Sequence, residues 1–226
     1  MYFCGNMYFM TRSEENYIKT IFHLGNKGTR DVSTNAIAEI METKPSSVTD
    51  MIKRLSEKGL VNYKRYQGVS LTSLGTKTAL GIIRKHRLWE VFLVEKLDFS
   101  WDEVHEVAEQ LEHIKSDKLI DSLDRLLAYP KFDPHGDPIP DKNGSFKERD
   151  RKLLSEVPVN TAGLCVGVKD SSTTFLKFLD KNGIALGNRI KVLEIEEFDG
   201  SLNIEIEGRK MQISNVIASN LYINVE

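Results

Sequence analysis

From Ser13 to Leu24 the apolar residues Tyr17, Ile18, Ile21, Phe22 and Leu24 recur at helical spacing. Ser13 with Glu14 to Asn16 reads as a capped start, and Gly25 to Gly28 as the stop. A short helix is predicted from Asn35 to Met41. A second runs from Ser47 to Lys58, with Ser46 as N-cap and Gly59 as its end. Leu60 to Tyr66, the turn Gln67-Gly68 and Val69 to Thr72 make a strand, a turn and a strand. Helix, turn, helix and hairpin is the order of a winged helix-turn-helix. Helices follow from Ser73 to Lys96, Trp101 to Ile114 and Ser116 to Ala128. Tyr129 to Gly144 holds four of the six prolines and reads as a connection. After Leu153 the period becomes two: Ile190, Val192, Leu193 and Ile195, then Leu202, Ile204 and Ile206, then Met211 and Ile213, then Leu221, Ile223 and Val225. With one helix near Thr174 to Lys181, this predicts a small antiparallel barrel.

Composition changes little in that picture. The 226 residues, 40% hydrophobic and 28% charged, suit two or three small folded domains rather than a disordered chain. No apolar run reaches the roughly 18–20 residues of a membrane span, so no membrane partner is expected. Cys4 and Cys165 form no paired motif, which excludes a disulfide scaffold or zinc ribbon and fits a reducing, cytoplasmic setting. Residues 1–10, MYFCGNMYFM, lack a basic region and a cleavage site. They read as an extension, with Met7 or Met10 as alternative starts.

Charge is more informative. The net charge is -2, yet Lys44 to Leu88 holds ten Lys/Arg against Asp50 and Glu57, a local +8 in an otherwise acidic chain. A polyanion partner for that block follows. The second helix of the pair brings Ser46, Ser47, Thr49, Asp50, Lys53 and Arg54 forward, and the wing brings Lys64 and Arg65. A recognition helix puts its first turns into the major groove, where hydroxyls reach base edges and cations neutralise phosphate. Double-stranded DNA is the expected partner. Asp50 is discordant there, unless it accepts from a cytosine amine or sits off the groove.

His105, Glu109, Glu112 and His113 stand at i, i+4, i+7 and i+8, within an arc of about 80–100° on a helix. Val104, Val107, Leu111 and Ile114 point the other way. His86 and Glu90 repeat the i, i+4 pairing one helix earlier. A single pair of this kind is usually a hydrated polar stripe. Two such faces in one domain point to a divalent cation instead, and imidazole with carboxylate suits Mn, Fe(II), Zn, Co or Ni.

The winged helix, the stretch Arg84 to Glu90, the run His105 to His113 and Asp137-Pro138-Ile139-Pro140 resemble the diphtheria-toxin repressor family of metal-dependent transcription repressors. The resemblance implies a multidomain α+β chain. Its parts would be a winged helix-turn-helix at residues 11–74, a helical dimerisation and metal-binding domain at 75–128, a proline-rich linker at 129–155 and an SH3-like barrel at 156–226. It implies a homodimer, formed along the helices from Ser73 to Ala128 with Trp89, Phe92 and Leu93 as candidate contacts. Glu109, Glu112 and His113 match the main metal site; His86, Glu90 and His105 match the second site or its edge. Ser46, Ser47, Thr49 and Asp50 match the DNA-facing positions. The family's N-terminal-helix ligand falls on Asn16, a weak neutral donor, with Glu15 or Glu14 as substitutes. The barrel positions that supply ligands in the iron-responsive branch fall on Ser171 and Thr174, poor donors both, with Asp170 nearby. The carboxylate at Glu109 resembles the manganese-responsive branch. The implied cofactor is Mn(II) or Fe(II), with Zn(II) able to bind in vitro.

Two rival readings use the same residues. A metallo-hydrolase needs an open coordination position and a general base, but there is no HExxH and no nucleophile motif. A metal-independent winged-helix regulator would sense an organic ligand and leave the His/Glu faces merely polar.

Overall fold

The computed structural model describes residues 10–64 and 68–226. They form two compact units. The first comprises residues up to His86 with Leu111–Lys115 and Pro140–Ser145; the second comprises Arg87–Gln110, Ser116–Ile139 and Phe146–Glu226.

The first unit holds α1 (Arg12–Leu24), α2 (Thr34–Ile40), α3 (Pro45–Glu57), β1 (Val61–Lys64), β2 (Gly68–Leu71) and the start of α4 (Ser73–Leu97). This is the winged helix-turn-helix order. The N-cap of α1 is Thr11 rather than Ser13. Its hydroxyl accepts from the Glu14 backbone while the Glu14 side chain accepts from the Thr11 backbone, so two orphan donors are satisfied reciprocally. Helix α3 starts at Pro45, with Lys44 as N-cap, not at Ser47. A proline in the first turn forfeits no helical hydrogen bond, so the helix begins earlier than the Ser46 signal suggests. Ile18, Ile21, Ile37, Val48, Ile52, Leu55 and Val69 are fully or almost fully buried and form one core. β1 and β2 pair antiparallel from Val61↔Leu71 to Lys64↔Gly68. Val32 and Val69 exchange two backbone hydrogen bonds and widen the wing.

In the second unit, α4 finishes, followed by α5 (Val104–Leu111) and α6 (Asp117–Leu126). Helix α5 is shorter than the predicted Trp101–Ile114, because Trp101–Glu103 and the two residues after Leu111 are turns. Helix α6 stops at Leu126, since Ala128 and Tyr129 take positive φ. Trp89 and Leu93, expected at a subunit contact, are buried within the single chain, whereas Leu119 and Leu126 of α6 are exposed.

The C-terminal part holds β3 (Lys152–Leu153), β4 (Ala162–Val168), α7 (Thr173–Asn182), β5 (Arg189–Ile195), β6 (Leu202–Ile206), β7 (Arg209–Ile213), α8 (Asn215–Ala218) and β8 (Leu221–Val225). Its strands form a six-stranded sheet in the order β3-β8-β4-β5-β6-β7. The predicted barrel therefore takes the form of a sheet with β3 and β7 at its two ends, and among the described residues it does not close. Strand β4 escapes the period-two pattern because consecutive residues Cys165 to Val168 are all buried. Leu176, Leu179, Val192, Leu202, Ile204 and Ile223 form its core. Among the described residues, no helix is long and apolar enough to cross a membrane.

Candidate metal centre

Helix α1 presents Glu15, Asn16 and Lys19 within little more than one turn, while Tyr17, Ile18, Ile21 and Phe22 bury its other face. In the same unit lie His86 of α4 and the short segment Leu111–Lys115. Glu112 is the centre of this group, with no exposed side-chain surface. Its carboxylate accepts from Lys19 Nζ at 2.8 and 2.9 Å and faces His86 Nδ1 at 2.6 Å. Burial works to raise its pKa. The hydrogen bond from His86 and the charge of Lys19 outweigh burial and hold the carboxyl below its ordinary value.

His113 follows at once. Its Nδ1 lies 2.5 Å from Glu15 Oε2, and its Nε2 lies 3.8 Å from Glu112 Oε1. A ring that shares one nitrogen with a carboxylate keeps the other for a cation. Glu14, offered by the sequence as an alternative ligand, is engaged elsewhere, with Lys58 at 2.6 Å and in the Thr11 cap. Asn16 Oδ1 is buried and, among the described residues, accepts no hydrogen bond. A buried carbonyl oxygen without a hydrogen-bond donor is rare enough to require an explanation, and a role in holding a cation is one. The donors are one carboxylate, imidazole nitrogens and an amide oxygen, with no thiolate. This set fits Mn(II) or Fe(II) and does not exclude Zn(II).

Glu109, half-buried on α5, precedes Glu112 and His113 by three and four residues. It falls in the second unit together with Glu90 and His105. Glu90 is buried, and its carboxylate lies 3.5 Å from His105 Nδ1 and 3.7 Å from His135 Nδ1. Asp133 completes a buried trio with Glu90 and His135, in which one ligand atom from each lies within 4.8 Å of the others. Burial, then the negative charge of Glu90, push Asp133 up to about 7 against the nearby Arg87. Burial works to lower the His135 pKa, but the hydrogen bond and charge of Glu90 dominate and bring it up to about 9. His135 Nε2 also lies 2.7 Å from the Trp101 carbonyl.

Sequence reasoning missed Asp133 and His135. They sit in the proline-rich stretch read as a connection, which is instead an ordered turn. Asp133 N–H donates to the Asp137 carbonyl at 3.0 Å, Ile139 N–H to Lys131 at 2.9 Å, and Val168 N–H to His135 at 3.0 Å. The usable signal was Asp133-Pro134-His135-Gly136-Asp137, where three ligand-type side chains alternate with turn residues.

On α3, Ser46, Ser47, Asp50, Lys53 and Arg54 are exposed, and Val48, Ile52 and Leu55 face the core. Thr49 is half-buried and donates its hydroxyl to the Pro45 carbonyl at 3.0 Å. Asp50, the discordant acid, lies 3.5 Å from Lys53. Lys64 is exposed at the end of β1. Arg65, the other wing cation, lies outside the described residues, as do residues 1–9.

Comparison with known proteins gives a consistent picture. Residues 9–69 match the iron dependent repressor N-terminal DNA binding domain. Residues 72–141 match the iron dependent repressor metal binding and dimerisation domain, and residues 152–225 match the FeoA domain. The HTH-type transcriptional regulator MntR of Oceanobacillus iheyensis is 35% identical over 144 residues, 63% of this chain and 95% of that protein. A probable metal transport system membrane protein of Chlamydia trachomatis is 34% identical over 144 residues, 62% of this chain. The match spans only 32% of that longer protein. A solved manganese-dependent transcriptional repressor in complex with manganese superposes with a TM-score of 0.84 at 33% identity, covering 94% of this chain and 100% of that one.

Proposed function

The chain belongs to the iron-dependent repressor family of metal-dependent, DNA-binding transcription regulators, and we propose that it represses metal-homeostasis genes from the cytoplasm when Mn(II) or Fe(II) is abundant. Glu112 and His113 hold the cation, with Glu109 one turn earlier and His86 and the Asn16 amide oxygen alongside. Glu15 orients His113 rather than ligating. Glu90, His105, Asp133 and His135 form a second donor set. A bound cation would supply positive charge that neutralises the buried carboxylates.

The observation that carries this reading is the attachment of α1. Its polar face is joined to both prospective ligands, Glu15 to His113 and Lys19 to Glu112. Its apolar face is part of the winged-helix core that also holds α3. A change at Glu112 and His113 therefore reaches the helix that carries Ser46, Ser47, Thr49, Asp50, Lys53 and Arg54. Two such helices in a homodimer enter successive major grooves about 34 Å apart. Selection of that arrangement is a population shift of roughly 1–3 kcal/mol per protomer.

The test is binding to DNA fragments enriched by the metal-loaded protein, titrated separately with Mn(II), Fe(II) and Zn(II). Wild-type affinity should rise at least tenfold with Mn(II) or Fe(II) and return with chelator. Glu112→Gln should remain folded and lose the stimulation. Affinity indifferent to chelator would favour a metal-independent regulator.

A further inference from the structure

The Lys19 ammonium, bound to both oxygens of the one carboxylate fully enclosed at the candidate metal centre, occupies the place of a counter-ion. A carboxylate with no exposed surface is costly unless paired. Here the Lys19 side chain, itself only 15% exposed, lies within 2.9 Å of both Glu112 oxygens. A unit positive charge so placed does two things. It stabilises the metal-free protein, and it opposes any divalent cation approaching the same carboxylate, by repulsion if it stays and by loss of the ion pair if it leaves.

We propose that Lys19 is an affinity-setting residue: a tethered cation that competes with the divalent ion for Glu112 and so raises the metal concentration at which the site fills. This rests on the reading of Glu112 as a metal ligand. Lys19 carries no donor pair to offer a metal, since an ammonium has three protons and no acceptor. Its position on α1, one turn after Glu15, gives the two side chains opposite roles. Glu15 prepares His113 for the ion, and Lys19 holds Glu112 against it. In the metal-free protein the same lysine keeps α1 joined to the ligand segment, so the reading helix is not released altogether when metal is scarce.

The experiment is direct Mn(II) titration of the full chain by calorimetry, with thermal unfolding in the presence and absence of Mn(II). Four variants are compared: Lys19→Gln, Lys19→Met, Lys19→Arg and Glu112→Gln. The two neutral variants should bind Mn(II) at least roughly tenfold more tightly than wild type, the scale of a unit charge beside a divalent ion. Their metal-free unfolding temperature should fall and their gain on adding Mn(II) should grow. Lys19→Arg, which keeps the charge, should stay within about threefold of wild type. Neutral variants that bind Mn(II) no more tightly than wild type overturn the proposal, as does Lys19→Arg tightening as much as Lys19→Gln. Glu112→Gln separates the two levels of inference. If it abolishes this binding while the Lys19 variants change nothing, only the competition idea fails. If it binds as wild type does, the Glu112 site and the Lys19 proposal fall together.

Discussion

A histidine that commits one ring nitrogen to a carboxylate gains a fixed orientation and tautomer, and the other nitrogen becomes a better donor. His113 is in that position, with Glu15 on Nδ1 at 2.5 Å and Nε2 turned toward Glu112. Glu15→Gln should therefore lower Mn(II) affinity roughly ten- to hundredfold, the usual effect of removing such an orienting partner, without unfolding the protein. Calorimetric titration checks this, and unchanged affinity would show that Glu15 does not orient the ring for a metal. Cys165 makes a contrasting case. Its thiol is buried in the core of the C-terminal sheet, and burial pushes it up to about 11. Because thiolate is the reactive species, alkylation at pH 8 followed by peptide mapping should leave Cys165 unlabelled in the folded protein and labelled in denaturant. Labelling of Cys165 in the native state at the denatured rate would contradict its burial.

At the scale of elements, the turn from Asp133 to Asp137 depends on a single glycine. Gly136 has φ +86°, and a Cβ built there would lie 2.1 Å from the Val166 carbonyl oxygen of β4. Gly136→Ala must both strain the backbone and force the turn away from the strand that accommodates it. A loss of at least about 2 kcal/mol follows, seen as a fall in unfolding temperature of roughly 4–8 °C for a chain of this size. Unchanged stability would mean that the turn packs differently from the observed arrangement. This turn also shows what the sequence could and could not disclose. Helices α1 and α3 were legible because one apolar stripe per helix sets their period, and β5, β6 and β8 because one face of each is buried. Strand β4 was not, since its run of buried residues removes the alternation. Asp133 and His135 were not, since prolines around them look the same whether the segment is a linker or a tight turn. The acid–imidazole spacing of His105 to His113 was legible, but not the roles within it. Glu14 closes a capping box with Thr11 only three residues away, whereas Glu15 meets His113 across 98 residues of chain. The first role is local and legible from Thr11-x-x-Glu14, while the second exists only once the fold brings His113 to α1.

For the molecule as a whole, charge is separated along the chain, and that separation makes DNA affinity and metal response distinct measurements. The segment Lys44 to Leu88 carries the positive excess while the remainder is acidic. Exposed Lys53, Arg54 and Lys64 are placed to neutralise phosphate, a term that depends on salt and not on sequence. The candidate metal ligands in the first unit are instead buried carboxylate and imidazole groups. Replacing a residue of each kind should therefore give different signatures. Arg54→Ala should weaken operator and unrelated DNA alike. It should reduce the slope of log affinity against log salt by about 0.9 for each phosphate no longer neutralised, or about 2 for a dimer that uses the residue twice. Metal stimulation should persist, since the α1 contacts to Glu112 and His113 are intact. Glu112→Gln should do the reverse, keeping salt-dependent binding to unrelated DNA while losing the metal-dependent increment on operator. Fluorescence anisotropy across a salt series, with and without Mn(II), distinguishes the two patterns. If Arg54→Ala instead weakens operator alone, with the slope unchanged, Arg54 reads bases rather than phosphates. If Glu112→Gln lowers both kinds of binding equally with or without metal, the buried carboxylate supports the fold of the reading domain and does not act as a switch.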